Sequence, residues 1–282
     1  MVAVKPAGKR RSDEREGDGA PRPFVKWVGG KRQILPSILG HVPRRYGAYH
    51  EPFLGGGAVF FRLRPQRAFL SDSNVRLIRT YSGVRDDVEG VIERLESYRY
   101  EKRFYLRMRK LGIDSRSDAD VAAWLVYLNR TGFNGLYRVN RSNQFNVPFG
   151  RYTNPTICDA ANLRACAQAL ARADLAVEGF EQVVDRAERN DFVYFDPPYV
   201  PLSTTSSFTS YTSHGFDQDS QERLRDVAAA LKRRGVHVLV SNSSAPVVRQ
   251  MYAGFRMQEV DAVRVVNSRG SGRGKIAELL IW

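Results

Sequence analysis

Apolar residues along this chain follow two patterns, and the change from one to the other divides it. Short apolar runs of strand length stand at Tyr49 to Phe53, Phe69 to Ser71, Leu175 to Glu178, Asp191 to Phe195 and Val236 to Val240. Helical patterns separate them. One starts at Ala58 to Leu63, and Leu163, Cys166, Ala167 and Leu170 mark another. A third, from about Ser220 to Arg234, buries Leu224, Val227, Ala228 and Leu231 and stops at Gly235. This alternation predicts an α/β fold. Val263 to Asn267 and Ile276 to Trp282 flank a Gly-rich turn, which predicts an antiparallel hairpin at a sheet edge.

Between about Ile78 and Ala160 the α/β rhythm stops and helical patterns take over. Ser117 and Asp120 have capping-box spacing, and Val121, Trp124, Leu125 and Leu128 share one helical face that packs in the core. Residues 1 to about 22 carry mixed charge and almost no large apolar side chain, as in a disordered basic tail. Residues 200 to 217 form a long polar loop of a length that serves as a lid or binding loop or else is disordered.

Composition narrows the partners. Lys and Arg total 44 against 30 Asp and Glu, a net +14 that suits a polyanion. The two cysteines, Cys158 and Cys166, make neither a disulfide framework nor a zinc spacing, so a reducing cytosol is expected. No metal-ligand cluster stands out, and no stretch reads as a membrane span or a signal segment. The glycosylation-like tripeptides at Asn129 and Asn140 then read as chance matches.

The densest chemistry is DFVYFDPPY, Asp191 to Tyr199. Asp196 sits at the carboxyl end of a buried strand, where ligands bind in open α/β sheets. Pro197 and Pro198 have no N–H, so the backbone there offers carbonyl acceptors, and Tyr199 adds a flat ring. Such a set accepts hydrogen bonds from an amino group and stacks on a planar base. Gly29, Gly30 and Lys31, beside Trp27, suggest a loop closing on an anionic or aromatic small ligand, yet Arg32 excludes a Walker A pattern. EPFLGGGAVF reads as strand, glycine turn (Gly55 to Gly57) and helix, a nucleotide-binding arrangement that departs from the dinucleotide spacing. Asp72, fifteen residues after Gly57, fits either a ribose contact or the cap of a helix starting near Asn74.

The stretch NRTGFNGLYRVNRSNQFNVPFGRY mixes Arg130, Arg138, Arg141 and Arg151 with Asn134, Asn140, Asn146, Phe133, Tyr137 and Tyr152. Arg pairs bidentately with guanine and Asn with adenine, while aromatics wedge or stack on bases. As a merely solvated loop it would expose its aromatics without purpose.

Taken together, FVKWVGGK, EPFLGGGAVF, LSDSN, NRTGFNGLYRVN, FNVPFGRY and DPPY, in this order, resemble a Dam-type DNA adenine-N6 methyltransferase from Phe24 to Trp282. The resemblance implies a Rossmann-like methyltransferase sheet, α/β in class, with an antiparallel C-terminal hairpin. A mainly helical target-recognition domain at 78–160 interrupts a catalytic domain at 23–77 and 161–282. It implies S-adenosylmethionine as methyl donor, held by Trp27, Lys31, Gly55, Gly57, Asp72, Phe180 and Asp196, with no metal. Asp196, Pro197 and Tyr199 would carry the chemistry. Lys26, Phe133, Asn134, Leu136, Arg138, Arg151 and Tyr152 would contact double-stranded DNA, with GATC as the target. RVNRSNQFN, residues 138 to 146, departs from the glycine-containing turn common there, and Phe133 replaces a Tyr found in some members. A cytoplasmic monomer, nucleoid-associated when on DNA, is expected; a cognate restriction endonuclease sharing the site is an allowed partner. A cytosine-N4 or RNA adenine methyltransferase, or a silent sequence-specific DNA-binding protein, are the competing readings.

Overall fold

The computed structural model describes residues 19–200, 216–263 and 275–282. Its centre is one sheet of β1 Tyr49–Glu51, β2 Ala68–Asp72, β3 Ala173–Val177, β4 Phe192–Phe195, β5 His237–Ser243, β6 Met257–Val263 and β7 Lys275–Ile281. The strand order is β3-β2-β1-β4-β5-β7-β6. Neighbours from β3 to β5 run parallel, and β7 runs antiparallel to both β5 and β6. This is the Rossmann-like sheet that the resemblance implies, with the antiparallel C-terminal pair that the apolar pattern predicts. Strand order reverses between β1 and β4, so their carboxyl ends border the crevice where ligands bind in such sheets.

Among the described residues the helices are α1 Leu35–Gly40, α2 Ala58–Leu63, α3 Val75–Asp86, α4 Val88–Ser97, α5 Lys102–Arg109, α6 Asp118–Thr131, α7 Ala160–Leu170, α8 Val183–Arg186, α9 Gln218–Arg233 and α10 Pro246–Met251. They cover both faces of the sheet, which is why the β4 residues are all apolar and all buried. Phe192 and Tyr194 join the core beneath α1 to α7, while Val193 and Phe195 join the core beneath α8, α9 and α10. The first core continues without a break into the insertion, through Trp124 and Tyr127 of α6 to Phe145. The Ser117–Asp120 capping box is present at the start of α6.

Several boundaries differ from expectation. β1 stops at Glu51 because Pro52 has no N–H to continue a ladder. The first arm of the C-terminal pair is Met257–Val263, so only Val263 of the predicted arm belongs to it, and 264–267 lie outside the described residues. The antiparallel pair does stand at a sheet edge, with β6 outermost and β7 joining it to β5. The expected domain boundary after residue 77 falls inside α3. Residues 1–18 of the tail and 201–215 of the polar loop lie outside the described residues. Arg22, placed in the tail, is anchored: its N–H donates to Asn162 Oδ1 at 2.9 Å and its carbonyl accepts from Asn162 Nδ2 at 3.0 Å.

Candidate active site

The site starts from the two strand ends at the reversal. After β1 the chain turns through Gly55, whose φ of 47° lies in the left-handed region. A Cβ at Gly55 would come within 2.9 Å of Trp27 Cδ1, so glycine is required twice over, by conformation and by space. Asp72, at the end of β2, fastens this turn. Its Oδ2 accepts the Gly55 N–H at 3.1 Å and its Oδ1 the Asn74 N–H at 2.9 Å. The cap of α3 is Asn74 itself, whose side chain accepts the Leu77 N–H. Asp72 is therefore not the cap that the sequence allowed. Burial raises its pKa, against the pull of those two N–H groups.

Asp196 follows β4 and is gripped on one oxygen. Lys31 Nζ lies 2.8 Å from Oδ1, and the Ser241 hydroxyl donates to the same atom at 2.9 Å. Oδ2 has no donor among the described residues. Burial raises the Asp196 pKa, while Lys31 and Ser241 oppose that shift. Lys31 is 5% exposed and also donates to the Gly29 carbonyl at 2.6 Å, so the glycine loop of the N-terminal segment delivers its ammonium to the carboxylate. The same ammonium lies 4.5 Å from the centroid of the Tyr199 ring.

Pro197 and Pro198 have no N–H to donate, and neighbouring elements anchor the loop. Gln221 of α9 donates to the Pro198 carbonyl at 2.8 Å and is itself held by Asn242 Nδ2 at 3.0 Å. The Tyr199 hydroxyl donates to Glu278 Oε2 of β7 at 2.7 Å. The Pro197 carbonyl takes no hydrogen bond from the described residues.

Glu51, at the end of β1, carries no role in the sequence reading. It is buried, accepts the Tyr49 hydroxyl at 2.9 Å, and burial pushes its pKa up to about 8. An acid directly before the glycine turn was the available signal. Phe180 follows β3, is buried, and stacks on Phe53 with ring centroids 5.5 Å apart; Phe216 packs on both rings. Trp27 is half-buried and stacks on Tyr137 at 5.3 Å, joining the glycine turn to the insertion.

The insertion's candidate contacts stand on a buried base. Phe133 is 50% exposed, Asn134, Arg138 and Arg151 are exposed, and Leu136 and Tyr152 are half-buried. Tyr137 and Phe145 are core residues, so of the three rings read as able to wedge or stack on bases Phe133 is exposed, Tyr152 half-buried and Tyr137 packed in the core. Arg138 is held side-on: Nε donates to Asn146 Oδ1 at 2.7 Å and Nη2 to the Asn146 carbonyl at 3.2 Å. Lys26 is exposed, its Nζ 5.7 Å from the Tyr152 ring centroid. Asn129, buried, ties these parts together. Its Oδ1 accepts the Lys26 N–H at 2.7 Å, and its Nδ2 donates to the carbonyls of Lys26 at 2.9 Å and Gly135 at 2.7 Å. No group of metal-ligating side chains occurs among the described residues, and no described helix is long and apolar enough to cross a membrane.

Residues 27–266 match the family model described as D12 class N6 adenine-specific DNA methyltransferase. Over 268 residues the chain is 45% identical to the type II methyltransferase M1.LlaDCHI of Lactococcus lactis subsp. cremoris, covering 92% of this chain and 94% of that one. It is 41% identical over 283 residues to the type II methyltransferase M.MjaIII of Methanocaldococcus jannaschii, covering 92% and 98%. It is 34% identical over 263 residues to the DNA adenine methylase of Escherichia coli (strain K12), covering 92% and 94%.

Proposed function

Because the chain belongs to the D12 class of N6 adenine-specific DNA methyltransferases, we propose that it methylates N6 of adenine within duplex GATC, with S-adenosylmethionine as donor. The observation that carries the reading is the one-sided grip on Asp196. Lys31 and Ser241 occupy Oδ1, while Oδ2 and the Pro197 carbonyl take no donor among the described residues. An exocyclic amine is a poor nucleophile because its lone pair is delocalised into the ring. Two fixed acceptors for its two hydrogens let the nitrogen become tetrahedral and direct the lone pair away from them. The acceleration then comes from orientation and from acceptors that need no reorganisation.

The residues present fit the donor. Gly55 forms a turn that a side chain would fill, Phe53 and Phe180 give an aromatic wall, and Glu51 is a buried carboxyl suited to an amino group. When bound, S-adenosylmethionine supplies a sulfonium methyl carbon that takes the lone pair as the bond to sulfur breaks. Trp27, Gly57 and Asp72 complete the cradle around the turn, and Lys31 serves it indirectly, through Asp196. Asp196 holds a departing N6 proton after transfer. The target adenine leaves the stack to reach this site, and Tyr199 offers it a face. Residues 78–160 act as the target-recognition part, with Lys26, Phe133, Asn134, Leu136, Arg138, Arg151 and Tyr152 toward DNA. GATC rests on the resemblance of residues 133–152 to recognition segments of GATC-methylating proteins. Sequencing-based detection of N6-methyladenine in DNA from cells expressing the chain tests this reading. Modified adenines confined to GATC support it; methylation at another site overturns the target, and N4-methylcytosine or RNA methylation overturns the acceptor.

A further inference from the structure

We infer that Glu278 is a positioning residue for methyl transfer, fixing the plane of the Tyr199 ring through the hydroxyl. The inference rests on the reading that a flipped adenine lies against Tyr199. Tyr199 follows two residues that cannot donate a backbone hydrogen bond, so its loop cannot be fixed by its own N–H groups at those positions. A tyrosine ring fastened only at its Cα swings about two side-chain torsions. Fastening the far end as well removes that freedom, and Glu278 Oε2 does so at 2.7 Å.

The anchor itself is stiff. Glu278 lies on β7, in register with Ser243 of β5 on one side and Val260 of β6 on the other. Both neighbouring strands therefore hold its backbone. Lys31 lies 4.5 Å from the centroid of the Tyr199 ring, on one face. With one face taken and the tip tied, the opposite face is the one left for a base. Lys31 and Ser241 fix Asp196 through Oδ1, and Lys31 also lies over the Tyr199 ring, so the tie to Glu278 holds the ring relative to a carboxylate that is itself fixed. Base stacking is sensitive to ring tilt, and near-attack geometry tolerates little misplacement.

The test is single-turnover methyl transfer on a duplex whose methylated adenine has been mapped by sequencing. Wild type is compared with E278L, E278Q, Y199F and the Y199F/E278L double variant. E278L and Y199F are each expected to slow transfer by about tenfold or more, as for a modest misplacement of a reacting group. E278Q keeps an acceptor for the hydroxyl and is expected to recover most of the rate. The double variant is expected to be no slower than the slower single variant, because both changes remove one interaction. Y199F deletes a single oxygen and keeps the test decisive if E278L fails to fold. A second readout places 2-aminopurine at the target position. Stacking on a fixed ring quenches its fluorescence, so E278L is expected to be brighter than wild type. Wild-type transfer by E278L or by Y199F, an E278Q rate as low as that of E278L, or losses that multiply in the double variant each overturn the proposal. Failure of the underlying reading looks different: wild type itself would then leave the 2-aminopurine signal unchanged on binding.

Discussion

At the end of β4 the side chains proposed for chemistry are held by partners from other elements, whereas along residues 133–152 those proposed to contact DNA reach outward from a buried base. Asp196 is gripped by Lys31 and Ser241, the Pro198 carbonyl by Gln221, and Tyr199 by Glu278. Phe133, Asn134, Arg138 and Arg151 are exposed, and beneath them Tyr137, Phe145 and Val147 are packed away. The difference follows from the two tasks. Chemistry at a poor nucleophile needs acceptors already oriented before substrate arrives. Reading a base edge needs donors that can enter a groove, so only their roots can be fixed.

The contrast breaks most sharply at Asp196. Asp196→Ala removes an oriented acceptor and leaves Lys31 buried without its partner. We expect methyl transfer to fall by at least about 10²–10³-fold, the scale seen for losing one preorganised group. Single-turnover rates alongside circular dichroism check it; a folded variant of near-normal rate would falsify the role of Asp196.

Asn129 joins the N-terminal segment to the base of residues 133–152, and losing it should loosen that side. Asn129→Ala deletes three hydrogen bonds that join Lys26 to Gly135. At about 1 kcal/mol each, with a buried carbonyl and N–H left wanting, the fold should lose roughly 3–4 kcal/mol. Denaturant midpoints measure this, and a shift well under about 1 kcal/mol would show that water replaces the side chain.

The recognition side should fail in two distinct ways. Arg138 is held through Nε and Nη2, which leaves Nη1 and the outer hydrogen of Nη2 to face a guanine edge. Arg138→Ala should lose about 1–3 kcal/mol of discrimination against one wrong base pair. Arg151→Ala should weaken binding evenly across sequences and reduce the salt slope by about one. Methylation of the cognate duplex and each single-base variant, at two salt concentrations, separates the two. Equal losses on all substrates for Arg138→Ala would remove it as a base reader.

Glu51 adds a dependence on pH. Burial moves the Glu51 pKa from 4.5 to about 8, so the folded state holds a proton that the unfolded chain gives up. Stability from this group is complete below the unfolded value and is lost as pH rises through the folded one. Each pH unit between the two costs up to about 1.4 kcal/mol. Glu51→Gln keeps an acceptor for Tyr49 but cannot ionise. Its melting temperature, measured relative to wild type, should therefore rise between about pH 5 and pH 8; a difference that stays flat shows that Glu51 is not held neutral.

The two regions also differ in how legibly they were written. Asp196, the two prolines and Tyr199 stand together in the chain, as do the Ser117–Asp120 cap and the glycine turn, and each announces itself through local chemistry. Alternating short apolar runs and helical patterns were enough for the α/β class. In residues 133–152 the sequence grouped Tyr137 with the rings able to stack on bases, and the structure packs it in the core. Tyr137 and Phe145 carry no period in so irregular a stretch that would separate a core ring from a wedge.

What the sequence by itself determined is the set of local devices: where the parallel strands lie, where the backbone must turn left-handed, and where a carboxylate meets acceptor carbonyls. Those follow from periodicity and from the steric demands of single residues. The tertiary structure alone decided who holds whom. Tyr199 finds Glu278 79 positions away and Lys26 finds Asn129 103 positions away, and Lys31 crosses most of the chain to reach Asp196. Those meetings depend on strand order, which brings β7 between β5 and β6 and sets β1 beside β4. The same order buries Glu51, and burial rather than residue type gives a carboxyl a pKa near 8.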